Sequence, residues 1–271
     1  MVVASELGSL ETMIQQALPA YKLKFRGLAW EGDTVFEQRR DLNYPTLDNQ
    51  LEKIGATVVI AQFGQMESLS GSDALPQFQT AYDKMVSRLR GPRNRRVALI
   101  LPTPFDARKG DAPLNDNVLR EYATAIEPLA REDMLVVDPW HWFRQGTGGA
   151  MDRLRSLQTR DGVHLTDAAQ LIAAEAIAAA LLGQEIDGGA AVRRATPREL
   201  KSAIVQKNRL WWHYTRPQNW AFLAGDRTNQ PSSRDHKDLS KRWFPGELEQ
   251  FVPLLEAKEN TIWELAAKLK R

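Results

Sequence analysis

VVIAQF, residues 58–63, is a run of six in which only Gln62 is polar. A stretch this short and this apolar reads as a strand buried on both faces, not as one side of an amphipathic helix. VALIL (97–101) and LVV (135–137) have the same character, and LKFRGLA (23–29), half-alternating, is a fourth candidate. Around these runs the apolar spacing turns helical, over Leu10–Leu18, about Tyr44–Ile54, Leu75–Arg90, Leu114–Arg131 and Leu165–Leu182. Thr166 stands where an N-cap hydroxyl belongs, and Asp167 suits the positive end of the last of these helices. Strand–helix alternation of this kind predicts an α/β domain whose parallel sheet is covered by helices, with ligands bound at the carboxyl ends of the strands.

The pattern opens on a helix, Leu10–Leu18, and not on the strand that would normally feed it. An α/β domain without its first strand exposes sheet edge, which is costly and prone to aggregation. Either the chain tolerates this or the given start lies inside the domain. From Arg193 the character changes: residues 193–245 hold twelve Lys/Arg against four Asp/Glu, and four of the eight tryptophans. TPRELKSAIVQKNRLWWHY predicts a helix beginning near Pro197, and residues 216–245 form a long polar segment. PGELEQFVPLLEAKENTIWELAAKL predicts a helix, or two helices broken at Pro253. The expected organisation is an α/β domain over 1–190 and a Trp/Arg-rich extension over 191–271 packed on it.

The totals exclude several classes. A chain of 271 residues, 43% hydrophobic and 26% charged, fits a soluble globular protein of one large domain, or one domain with an appended module. A formal charge of +2 argues against a polyanion binder, and the absence of cysteine excludes disulfides and thiolate metal sites. No apolar run approaches the roughly 18–20 residues of a membrane helix. MVVASELGSLE at the start lacks the basic end and apolar core of a signal peptide. The chain as given is therefore expected in the cytoplasm, with export as the alternative if a preceding segment has been lost.

The clearest chemistry is in TRDGVHLTDAA, residues 159–169. Asp161 can accept a hydrogen bond from one imidazole nitrogen of His164, fix its tautomer and stabilise the imidazolium, leaving the other nitrogen as a general base. The plain alternative is a surface Asp-Gly turn with an incidental histidine. Placement after the last expected strand and before the last helix of the α/β pattern favours function.

Three stretches carry a family resemblance. DGVHLTDAAQLIAA resembles the last sequence block of the SGNH (GDSL-type) hydrolases, esterases and lipases with a flavodoxin-like three-layer fold. RGLAWEGDTV (26–35) is similar to their second block, with Gly32 as the glycine whose N–H serves the oxyanion hole. VVIAQFGQMES (58–68) occupies the place of the third block, normally Gly-x-Asn-Asp or Gly-x-Asn-Glu. The blocks run in family order over roughly residues 8–183. GLAWEGDTVFEQRRDLNYP and KNRLWWHYTRPQNWAFLAGDR more closely resemble a branch common in planctomycete- and verrucomicrobia-like genomes.

The departures bear on activity. Met66 stands where the resemblance expects an asparagine donor, and losing one such donor typically costs about 10²–10³ in turnover. Adjacent Gln65 carries an amide that would substitute if the loop were re-aimed, with Glu67 as the acidic member of the block; the other reading packs Met66 in a pocket and impairs the hole. The first block, Gly-Asp-Ser, has no counterpart upstream of Gly32. Comparison of GSLETMIQQALP with its family counterpart places the nucleophile turn just before Met1. Within the chain Ser5 is the candidate nucleophile, with Ser9 behind it.

The resemblance implies metal-free ester hydrolysis through an acyl-enzyme, without a cofactor: His164 as base, Asp161 as its orienter, Gly32 and Gln65 at the oxyanion hole. Acetyl or another short acyl group on a carbohydrate is the preferred substrate. Glu67, and Arg216 and Asn219 of RPQN, are candidate binding residues. The alternative is an inactive relative that binds carbohydrate or a protein partner. Nucleic-acid binding through the basic extension ranks below both, and its aromatics more simply pack the extension onto the α/β domain. His141, His213 and His236 lack metal-ligand spacing and read as structural or exposed; SSRDHKD (232–238) reads as a solvated loop.

Overall fold

The computed structural model describes residues 7–38, 43–105, 116–140, 159–184 and 197–269. Contacts divide the chain into two compact units, one of residues 1–31, 39–54 and 196–271, the other of residues 32–38 and 55–195. This division is not a cut near residue 190, because the N-terminal helix and the segment after it share a core with the C-terminal helices.

The second unit holds the sheet. β1 (Val58–Gln62), β2 (Arg96–Ile100) and β3 (Leu135–Val137) are parallel, in the order β1-β2-β3, with Val58 opposite Arg96 and Ile100 opposite Val137. β2 is central and buried from Val97 to Ile100. β1 differs from the expected doubly buried strand: among the described residues it pairs on one side only, and Val58 is 51% exposed.

α3 (Leu75–Arg90) packs on β2 and on α4 (Asp116–Ile126), and α5 (Asp167–Leu181) packs on β3. Phe78, Tyr82, Met85, Val86 and Leu89 recur at helical spacing and put one face of α3 into the core. α5 starts where Thr166 Oγ1 accepts from Ala169 N at 3.3 Å, and its buried alanines combine high helix propensity with close approach.

In the first unit, α1 (Ser9–Ala17) packs with α6 (Arg198–Thr215) and α9 (Phe251–Lys268), and α2 (Leu47–Lys53) meets α6 where Lys53 Nζ donates to Tyr214 OH. Leu200, Ala203, Ile204, Ile262 and Ala266 form the α6–α9 core. α7 (Trp220–Leu223) and α8 (Trp243–Glu249) lie in and after the long polar segment. The C-terminal helical stretch breaks at Gln250, not at Pro253. Pro253 sits in the first turn of α9, where backbone N–H groups have no helical partner to lose.

LKFRGLA forms no strand. Its alternate carbonyls are taken by side chains instead. Leu23 O accepts from Gln15 and from the Trp263 indole, Phe25 O from Lys207, Gly27 O from the Trp211 indole and Ala29 O from Arg216. Alternate carbonyls are satisfied as along a strand edge, but side chains of α1, α6, α9 and of Arg216 just after α6 supply the donors that a neighbouring strand would otherwise provide.

Lys207 and Glu11 form an ion pair at 2.8 Å inside this unit, both buried. Lys207 lies on the apolar stripe of α6 between Ile204 and Trp211, and Glu11 on the buried face of α1. Burial pushes the Glu11 carboxyl up and the Lys207 ammonium down, each opposed by the other's charge.

Candidate active site

Asp161 and His164 occupy a loop closed by an antiparallel bridge between Thr159 and Leu165 and by Arg160 N donating to His164 O at 2.8 Å. Asp161 Oδ1 accepts from the backbone N–H of His164 at 2.8 Å and of Val163 at 3.1 Å, and Oδ2 meets His164 Nδ1 at 2.6 Å. The His164 backbone N–H, then its ring, then the Val163 N–H hold the Asp161 carboxyl well below the usual carboxylate range. It is therefore ionised at neutral pH and only accepts hydrogen bonds. Nδ1 of neutral His164 must carry the proton, and Nε2 is left with the lone pair. Both side chains are open to solvent, 69% for His164 and 55% for Asp161.

Leu165, next in the chain, packs with Trp140 and Ala173 and fixes this loop to the body of the unit. Trp140 is fully buried; its indole N–H donates to Leu101 O at 3.2 Å and its backbone N–H to Asp138 Oδ1 at 2.9 Å. Leu101 follows β2 and Asp138 follows β3, so the dyad is anchored at the carboxyl end of the sheet, where α/β folds bind ligands. In the sequence, the signal for Trp140 is an aromatic three residues beyond the LVV run.

The second-block and third-block segments meet at Glu67. This carboxylate is only 5% exposed; Oε1 accepts from Val35 N and Oε2 from Gly64 N, each at 2.8 Å. Gly64 has φ 108°, and a Cβ there would lie 3.4 Å from both Phe78 and Pro102, so the turn after β1 takes a glycine by conformation and by space. Gly32, with φ 82°, stands in a turn open to solvent. Gln65 Nε2 donates to Thr103 O at 3.0 Å, tying the end of β1 to the chain after β2. Met66 is 53% exposed and so does not fill an interior pocket. Gly32, Gln65, Glu67, Asp161 and His164 all belong to one compact unit.

Arg216, Asn219 and Ser9 belong to the other unit. The Arg216 guanidinium stacks 3.7 Å from the Trp212 ring centroid and 5.3 Å from that of Trp30, and it donates to Ala29 O. Asn219 caps α7 through its backbone, accepting from Phe222 N at 3.0 Å. Ser9 is buried in the first turn of α1. Ser5 and His141 lie outside the described residues. His213 is exposed, and the His236 ring lies 6.0 Å from that of Trp243. Among the described residues no group of three or more acidic, histidine or cysteine side chains is placed to hold a metal, and no helix is long and apolar enough to cross a membrane.

No curated protein and no solved structure matched the chain. The sequence model of the GDSL-like Lipase/Acylhydrolase family matches residues 4–172, more than half of the chain, and this span takes in all three strands, the Gly32 and Glu67 loops and the Asp161–His164 pair. The small parallel sheet with its helices agrees with the SGNH form of the α/β fold followed by a C-terminal helical extension, and the chain belongs to the GDSL-like lipase/acylhydrolase family.

Proposed function

We propose that the protein hydrolyses small-molecule carboxylic esters by acyl transfer, with Asp161 and His164 as the base assembly. A hydroxyl nucleophile attacks the ester carbonyl while His164 Nε2 takes its proton. The carbonyl oxygen becomes an oxyanion that accepts from the Gly32 N–H, and Asp161 stabilises the imidazolium. The imidazolium then gives its proton to the departing alcohol, and water repeats the sequence on the acyl-enzyme. Ser5 is the nucleophile candidate within the chain. The observation that carries this reading is the Asp161 carboxyl group, which accepts from the Val163 and His164 backbone N–H groups and lies 2.6 Å from His164 Nδ1. A short acyl ester of a carbohydrate is the substrate class we favour.

A second reading, an inactive relative that binds carbohydrate or a protein, draws on the third block. Met66 offers no donor, and one hydrogen of the Gln65 amide is already given to Thr103 O. The two readings separate on p-nitrophenyl acetate. The hydrolase reading expects turnover that His164→Ala abolishes and Ser5→Ala removes if Ser5 is the nucleophile; turnover surviving His164→Ala would sink it. The binding reading expects no turnover, with glycan binding lost on Trp212→Ala or Trp220→Ala.

A further inference from the structure

The Glu67 carboxylate is buried, and among the described residues no Lys, Arg or His pairs with it. A buried carboxylate without a counter-ion is expensive, and an apolar side chain would fill the same space at lower cost. What the carboxylate does, and an apolar group would not, is accept two backbone N–H groups from segments 29 residues apart in the chain, Val35 and Gly64. The Gly64 end is confined: its φ is positive, and Phe78, Pro102 and Ile126 stand within 3.5 Å of where a Cβ would lie. The Val35 end continues into a turn in which Thr34 N donates to Glu37 O at 3.0 Å and Glu37 N to Thr34 Oγ1 at 3.2 Å. Gly32 lies three residues before Val35, at a point where an added Cβ would meet no atom within 4 Å. The short 3₁₀ turn Glu67–Ser70 that carries this side chain is held at its far end by Tyr122 OH donating to Gly71 O at 2.9 Å.

We propose that Glu67 is a positioning residue: its carboxylate hangs the Gly32 loop from the confined end of β1, so that the Gly32 N–H keeps one place while negative charge builds on the substrate oxygen. It touches no substrate, since both its oxygens are occupied and the side chain is closed off from solvent. In a site whose asparagine donor is replaced by Met66, the backbone donor carries more of the oxyanion stabilisation, and its placement matters correspondingly more. This role rests on the hydrolase reading; the clamp itself does not.

The test joins hydrogen exchange to kinetics. In the unmodified protein the Val35 and Gly64 amides exchange far more slowly than the neighbouring Phe36 and Gln65 amides. In Glu67→Gln, where an amide NH₂ faces one of the two N–H donors, exchange in segments 32–38 and 64–68 rises about tenfold or more, and exchange in β2 stays unchanged. On p-nitrophenyl acetate the same variant loses about 10- to 100-fold in kcat with KM within about twofold, the signature of an interaction made only in the transition state. Glu67→Asp, which keeps the charge but reaches less far, recovers part of the rate.

Unprotected Val35 and Gly64 amides in the unmodified protein overturn the clamp even if every variant fails to fold. Loosened loops with unchanged kcat overturn the positioning role. A wild-type protein without turnover but with protected amides overturns the hydrolase reading and leaves the clamp standing.

Discussion

Asp161–His164 in one unit and Glu11–Lys207 in the other each set a carboxylate against a basic side chain at hydrogen-bond distance, and the two pairs are opposite in almost every other respect. Asp161 and His164 meet at 2.6 Å in a solvent-exposed loop, with Asp161 anchored by two backbone amides. Glu11 and Lys207 meet at 2.8 Å between helices, with essentially no access to water. The Asp161 carboxyl is held below its ordinary range by hydrogen bonds, whereas the Glu11 carboxyl is pushed above it by burial. An exposed pair contributes little to stability but keeps one imidazole nitrogen free to act on a substrate. A buried pair is inaccessible to any substrate, and breaking it strands a charge. The same chemical partnership is thus a structural joint in one unit and, on the proposed reading, a reactive device in the other.

Removing one member of each pair sharpens the contrast. Lys207→Ala leaves Glu11 buried without its ion-pair partner and takes a donor from Phe25 O; it should lower the unfolding free energy by about 3–5 kcal/mol in a urea titration. Replacing both members with apolar residues, Glu11→Leu with Lys207→Met, should recover most of that loss, and a double variant no better than Lys207→Ala would contradict the assignment. Asp161→Asn should do the reverse. Its stability should stay within about 0.5 kcal/mol of wild type, while turnover of p-nitrophenyl acetate falls by about 10² or more, because the amide no longer dictates the imidazole tautomer. A loss of stability with unchanged turnover would erase the distinction between the pairs. The pH dependence follows from the lowered Asp161 carboxyl. The small stability it contributes is present above the usual carboxylate pKa and is lost only as pH falls through its depressed value. Ionisation of Asp161 should therefore contribute no step to the acidic limb of kcat/KM within the usual carboxylate range.

Legibility in the sequence tracked how local each interaction is. The three strands are readable because short, mostly apolar runs bounded by polar residues favour strand over helix wherever the rest of the chain goes. α3 was readable from Leu75 to Arg90 by its apolar spacing, and the Thr166 cap because both of its partners lie within three residues. LKFRGLA reads as a strand but forms none for a definite reason: the donors for its alternate carbonyls come from Gln15 and from Lys207, Trp211, Arg216 and Trp263, most of them some 180 residues or more away. β1 read as doubly buried because its composition carries no mark of which sheet position it will take.

The site divides along the same line. Asp161 and His164 are three residues apart, and their contact could be anticipated. Glu67 could be named as the acidic member of its block, but its reach to Val35 across 32 residues left no trace in either stretch. Lys207 was visible only as one charge inside the apolar stripe of α6. Such a charge signals a buried partner without saying where in the chain that partner lies.

The central claim is that an ionised Asp161 fixes the proton on His164 Nδ1 and frees Nε2 to act as base. The ¹⁵N shifts of the His164 ring at a pH where it is neutral test this directly, whether or not the chain turns over any ester. The account predicts the Nδ1–H tautomer in the wild type and a shift toward the Nε2–H tautomer in Asp161→Asn. A wild-type ring protonated on Nε2, or one whose tautomer is indifferent to Asp161→Asn, would contradict it.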